Sequence, residues 1–165
     1  IDPGTLNMGY GLVRQGKDGS CVADSWGVLK ATRGRLLGPR LHQLYSELLS
    51  LIRDLCPDEV AVETPFVSIN ARAAMAIGQA QGLALMAAAE QGLPASSYSP
   101  PQVKLAVSGH GHASKQQIQQ AIALQLEIDS DGIPEDAADA LAVALCHIQH
   151  FNEASLVAAE GIKLK

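Results

Sequence analysis

Ile1-Asp2-Pro3-Gly4-Thr5-Leu6-Asn7-Met8-Gly9-Tyr10-Gly11 opens the chain with an apolar residue, a carboxylate and a Pro-Gly turn. Glycines then punctuate an apolar–polar alternation that runs to Val13. The pattern predicts a strand that ends its apolar run on an aspartate and doubles back as a hairpin. An acid at a strand end, beside a glycine-relaxed backbone, suits a metal or phosphate site. Taken alone, an Asp-Pro-Gly aspartate more often satisfies nearby N–H groups of its own turn. Three further carboxylates along the chain favour the site. Ile1 falls inside the expected strand, so a few residues are expected to precede it.

Working outward, Gly16-Lys17-Asp18-Gly19 reads as a turn, and Ser20 to Leu29 as a strand anchored by Val22, Trp26 and Val28. Three consecutive antiparallel strands are expected. Thr32-Arg33-Gly34-Arg35 is a short basic connection, read as a solvated loop. Behind Pro39, the residues Leu41, Leu44, Tyr45, Leu48, Leu51, Ile52 and Leu55 recur at helical spacing, and Cys56-Pro57-Asp58 ends that helix. Val60-Ala61-Val62 forms a short buried strand with Glu63 at its end. A buried unpaired carboxylate costs several kcal/mol, so Glu63 needs a partner or a wet cleft.

Asn70 to Gln91 predicts a second helix closed by Gly92 and Pro94, with Gly78 and Gly82 forming a small-residue stripe. Ala95 to Tyr98 reads as a fifth strand. Pro100-Pro101 opens a short helix carrying Lys104, and Ser114 with Gln117 forms a capping box for a helix from Lys115 to about Leu126. The loop between them holds His110 and His112, whose lack of neighbouring ligands favours loop polarity or phosphate contact over zinc. Asp136 and Asp139 lie at i, i+3 at the start of the last helix, on one face. They suit the helix dipole as caps. The apolar surroundings Ala137, Ala138, Ala140 and Leu141 instead favour a metal site, because paired carboxylates against a core repel.

The totals fit one domain over residues 1–165, its tail after about 150 peripheral, with 165 residues and 47% hydrophobic content. No run is long enough for a membrane span, and no signal peptide is visible. Three widely spaced cysteines argue against a disulfide framework and favour a reducing cytoplasm. The net charge of −5 opposes a nucleic-acid partner until two divalent cations neutralise four acids, which leaves the working protein near −1. Set together, Asp2, Glu63, Asp136 and Asp139 offer an all-oxygen site suited to Mg²⁺ or Mn²⁺. Two such ions can clamp a phosphodiester. The element order gives an α/β fold with a mixed five-stranded sheet flanked by helices.

Asp2-Pro3-Gly4 with Gly9-Tyr10-Gly11, Glu63 with Phe66 and Asn70, Gly78-Gln79-Ala80, Gln102-Val103-Lys104, and Asp136-Ala137-Ala138-Asp139-Ala140-Leu141-Ala142 together resemble the RuvC family. The likeness runs in order from residue 1 to about 150. It implies a ribonuclease H-like fold, a homodimer and Mg²⁺-dependent nicking of two opposed strands in a four-way (Holliday) junction, in recombination and repair. It is compatible with a branch-migration complex as a further partner. By that resemblance Asp2, Glu63, Asp136 and Asp139 are the catalytic, metal-holding acids, and Lys104 and Lys115 contact DNA. Asn70 belongs to the DNA-facing segment. Family members often carry a basic residue where this chain has Ile69 and Gln81; Arg72, nearby, is expected to compensate. Phe66 reads either as a core ring or as one that stacks on a base unpaired near the crossover.

Other classes remain open on sequence. Ile1-Asp2-Pro3-Gly4-Thr5 is similar to the first phosphate loop of actin-like and sugar-kinase ATPases, which need a second lobe. A ribonuclease H-like nuclease acting on RNA is the nearer alternative. An inactive junction-binding module would be expected to lose one of the four acids, and all four are present.

Overall fold

The computed structural model describes residues 1–64, 71–110 and 113–162. Strands β1 (Asn7–Gln15) and β2 (Cys21–Lys30) are followed by α1 (Leu37–Leu55), β3 (Val60–Glu63) and α2 (Ala71–Glu90). Then come β4 (Ala95–Tyr98), α3 (Pro100–Ser108), α4 (Lys115–Leu126) and α5 (Glu135–Ile162). The fold is α/β, with strands and helices interleaved along the chain.

β1 and β2 form an antiparallel hairpin with Asn7 opposite Lys30, Gly11 opposite Trp26 and a bulge at Leu12/Val13. Its turn is made by Asp18, whose Oδ1 accepts from the Ser20 N–H and hydroxyl, and by Gly19 at φ +85°. Such a φ strains any residue with a Cβ, which is why a glycine sits there. β3 and β4 pair in parallel, Val60 with Ala95 through Glu63 with Tyr98.

Among the described residues the strands form two two-stranded sheets, β1–β2 and β3–β4. The expected first strand is reduced to one isolated bridge. Asp2 exchanges backbone hydrogen bonds with Gly9 at 3.0 and 2.9 Å. The Ile1 nitrogen donates to the Ala61 carbonyl at 2.7 Å, and the Glu63 N–H to the Ile1 carbonyl at 3.0 Å. Ile1 and Asp2 therefore link the two strand pairs through backbone hydrogen bonds.

Two cores result from the alternation of side chains along β3. Val60 and Val62 join Leu44, Leu48 and Ile52 of α1 and Ala80, Ala84 and Ala88 of α2. Ala61 points the other way, onto the cluster of Leu141, Ala142 and Val143 from α5 with Val103 and Val107 from α3 and Ile118 and Ile122 from α4. Full burial of Leu44 and Leu48 contributes about 1.5–3 kcal/mol each before entropy costs.

Helix ends follow local chemistry. α1 begins at Leu37, two residues before Pro39, because a first-turn proline gives up only an N–H that has no helical partner. It ends at Cys56, in the left-handed conformation at φ 47°, with its N–H on the Ile52 carbonyl. Both capping boxes form, Ser99 with Gln102 on α3 and Ser114 with Gln117 on α4. α5 continues well past residue 150, where Phe151, Leu156 and Val157 are exposed. Among the described residues no helix is long and apolar enough to cross a membrane.

Candidate active site

Asp2, Glu63, Asp136 and Asp139 are carried by three separate parts of the chain, and backbone contacts bring those parts together. The Asp2–Gly9 bridge fixes Asp2 beside β1, and the hydrogen bond from the Glu63 N–H to the Ile1 carbonyl sets Glu63 on its other side. The first turn of α5 lies directly over Gly9. A Cβ built there would stand 1.9 Å from the Asp136 carbonyl oxygen, and one at Gly11 would stand 2.7 Å from the Leu141 side chain. Gly9 and Gly11 thus let α5 approach the strand, which delivers Asp136 and Asp139 to the end where Asp2 lies. The glycine spacing is legible in sequence; its purpose becomes clear only once α5 is in place.

The acids influence one another strongly. Asp2 is pushed up from 3.8 to about 6, first by burial and then by the charges of Asp139 and Asp136. Glu63 is pushed up from 4.5 to about 7, again by burial first, then by Asp2 and Asp139. Asp2 and Glu63 are close enough for each to influence the other's titration, and burial raises both. Asp139 is also raised by burial, although the Lys115 ammonium opposes the shift.

Lys115 Nζ lies 3.2 Å from Asp139 Oδ2 and also pairs with Glu135, one turn earlier on α5. Burial works against its charge, but the two carboxylates more than restore it. Lys104, Lys115, Glu63 and Asp139 line one hollow of about 210 Å³, floored by Val103, Ile118 and Ala142. Another hollow of about 110 Å³, between β1, α1 and α5, is mainly apolar, and its one carboxylate, Glu59, lies 3.1 Å from His147 Nε2.

The structure therefore gathers all four sequence-selected acids and both lysines at one end of the fold. Arg72 is exposed on the first turn of α2. Phe66, Asn70, Ile69 and His112 lie outside the described residues. His110 is committed locally, its Nδ1 3.0 Å from the Ser108 carbonyl. Glu135 is the residue that sequence reading passed over. Its signal was the i, i+4 spacing to Asp139, which lets one lysine bridge both.

The donor chemistry fits a hard divalent cation: four carboxylates, no thiolate, and a partly buried setting. As the side chains stand, no three His, Cys, Asp or Glu groups among the described residues converge closely enough to hold a metal ion. Asp139 is turned to Lys115 instead. The charge that raises Asp2 and Glu63 is what a bound cation would neutralise.

A stability consequence follows for metal-free protein. Asp2 and Glu63 titrate near 3.8 and 4.5 when unfolded and near 6 and 7 when folded. The folded state holds more protons across that window, so their contribution is fully favourable below about pH 4 and is lost as pH rises through 6 to 7. In chelator, the melting temperature is expected to fall by several degrees between pH 5 and pH 8. Mg²⁺ at pH 8 should recover it. A melting temperature independent of both pH and Mg²⁺ would show that the acids do not repel as the geometry implies.

Known proteins resemble the chain over most of its length. The model of the family "Crossover junction endodeoxyribonuclease RuvC" matches residues 1–147. A crossover junction endodeoxyribonuclease RuvC from Dehalococcoides mccartyi is 45% identical over 147 residues, 89% of this chain and 87% of that protein. One from Syntrophomonas wolfei is 39% identical over 163 residues, 99% and 94% of the two chains. Among solved structures, Thermus thermophilus RuvC superposes with a TM-score of 0.85 at 32% identity, covering 93% of this chain and 94% of that one. The same protein in complex with Holliday junction substrate gives 0.81 at 34% identity, covering 89% of each. With its glycine-seated last helix, its four gathered acids and this extent of likeness, the chain belongs to the RuvC family of crossover junction endodeoxyribonucleases.

Proposed function

We propose that the chain is a metal-dependent endonuclease that resolves four-way Holliday junctions by paired nicks on opposed strands. The observation that carries the reading is the meeting of Asp2, Glu63, Asp136 and Asp139 at one cleft end, with two of them held well above ordinary carboxylate pKa values by burial and mutual charge. Family membership supplies the substrate class.

Asp2, Glu63, Asp136 and Asp139 would hold the metal, Mg²⁺ by preference with Mn²⁺ as substitute. Divalent ions in such a site supply Lewis acidity toward a phosphodiester oxygen and lower the pKa of bound water. Asp2 and Glu63 present their carboxylates from strand ends, so backbone pairing rather than side-chain length fixes their separation. With a cation bound, Glu63 would be held ionised, and Asp139 would serve the metal only by leaving its ion pair with Lys115. Lys115 and Lys104, which line the same hollow, would then hold the phosphate flanking the break. Lys115→Ala is expected to lower the slope of log K against log salt for junction binding by about one unit. An unchanged slope would remove Lys115 from the DNA contacts.

The two small sheets, joined through Ile1 and Asp2, are read as parts of one five-stranded sheet of ribonuclease H-like type, and residues 1–165 as one domain. Two opposed nicks require two sites at fixed separation, hence a homodimer. The face of α2 that carries half-buried Gly82 between exposed Met75 and Met86 is the proposed contact, since no atom lies within 4 Å of a Cβ built at Gly82. Sedimentation should give twice the chain mass at micromolar concentration, with or without junction. A persistent monomer in both would contradict the dimer. Phe66 is proposed to stack on an unpaired base. Phe66→Ala should keep its melting temperature and slow cleavage several-fold, whereas a loss of about 3–5 kcal/mol in stability would make it a core residue.

A further inference from the structure

The loop between β2 and α1 carries a charge pattern that the cleft does not use. From Ser25 to Ser46 the chain holds Lys30, Arg33, Arg35 and Arg40 and no acid, although the whole protein is at −5. A third of its twelve lysines and arginines thus lie in one short stretch. Among the described residues none of these four cations is in an ion pair. Arg33 and Arg35 are exposed, and the Arg40 Nε is buried without a hydrogen-bond partner. The first turn of α1 beside them has no acid and no side-chain cap.

The loop is also held in place. Thr32 donates its N–H and its hydroxyl to Gln43 Oε1, both at 3.1 Å, and Gln43 Nε2 reaches the Lys30 carbonyl at 3.3 Å. Gln43 Nε2 also donates to Glu47 Oε1 at 2.9 Å. Its position relative to the cleft follows from the register. Asp2 pairs with Gly9; two residues earlier on β1, Asn7 pairs with Lys30, and the Ala31 N–H donates to the Leu6 carbonyl. The arginine loop therefore leaves the hairpin at the same end as the acids.

We propose that Arg33, Arg35 and Arg40 form a second phosphate-binding surface that seats the duplex arm leading away from the nick. The inference rests on the junction-cleaving reading and adds to it a partner surface. The exposed guanidiniums of Arg33 and Arg35 on a pinned loop, with half-buried Arg40 on the adjoining turn of α1, can take backbone phosphates without reading sequence. They would also offset the acidic centre, whose repulsion of DNA the cleft lysines alone counter weakly.

The test is junction binding by Arg33→Ala/Arg35→Ala, measured across a salt series with long-armed and short-armed four-way junctions. The double variant should melt within about a degree of wild type, both positions being exposed. With long arms, affinity should fall roughly tenfold or more at about 0.1 M salt, and the salt slope by nearly two units. With arms too short to reach the loop, variant and wild type should bind alike. Arg33→Lys/Arg35→Lys should restore most of the affinity, and Arg33→Glu/Arg35→Glu should weaken it further. An unchanged slope on long arms, with wild type binding and nicking normally, overturns this surface alone and would point to an acidic partner other than DNA. Wild type that neither binds nor nicks a junction overturns both this inference and the reading it rests on.

Discussion

Asp2→Asn is expected to lower metal-dependent junction nicking by about a thousandfold or more, a loss of several kcal/mol of transition-state stabilisation. Junction binding should survive, and metal-free protein at pH 8 should melt a few degrees higher than wild type. The two opposite effects have one cause. Asp2 is a half-buried carboxylate close to the charges of Asp139 and Asp136, which costs the fold without metal and would hold metal when it is present. Glu63→Gln, Asp136→Asn and Asp139→Asn should behave in the same way, with the smallest stability gain at Asp139, where Lys115 already offsets the charge. A variant that nicks at near the wild-type rate would take that residue out of the mechanism.

Gly9→Ala is the second large effect. Its added methyl would meet the Asp136 backbone carbonyl at 1.9 Å, and backbone cannot rotate aside as a side chain can. Either α5 lifts from β1 or the Asp2–Gly9 bridge breaks. Overpacking of this kind costs about 1–3 kcal/mol, occasionally more. Activity should suffer beyond stability, because the same displacement separates Asp136 and Asp139 from Asp2. Folded Gly9→Ala protein, measured well below its melting temperature, should therefore nick at least tenfold slower than wild type. Full activity in a stable variant would mean that α5 need not touch the strand here.

Those two residues mark what the sequence could and could not reveal. Asp2, Glu63, Asp136 and Asp139 were legible because each is a carboxylate where a local pattern calls for apolar residues or a turn. The α4 bounds and the β4 strand were legible because the Ser114/Gln117 capping box and the Gly92-Pro94 stop are written within a few residues. Gly9 was quoted for its hairpin spacing, yet its role depends on a carbonyl of the last helix, and no local period encodes that contact. Lys115 was read as a phosphate contact; its pairing with Glu135 and Asp139 comes from the packing of α4 against α5. How the strands join was less legible, because the link between the two pairs runs through backbone hydrogen bonds of Ile1 and Asp2 that no side-chain pattern encodes.

The central claim is most directly tested by incubating the protein with labelled four-way junction, linear duplex and RNA–DNA hybrid, each with Mg²⁺ and with chelator. The account predicts symmetric nicks on two opposed strands of the junction, only with Mg²⁺, and no comparable cutting of duplex or hybrid. Equal or faster cleavage of the hybrid, or junction nicking undiminished in chelator, would contradict it.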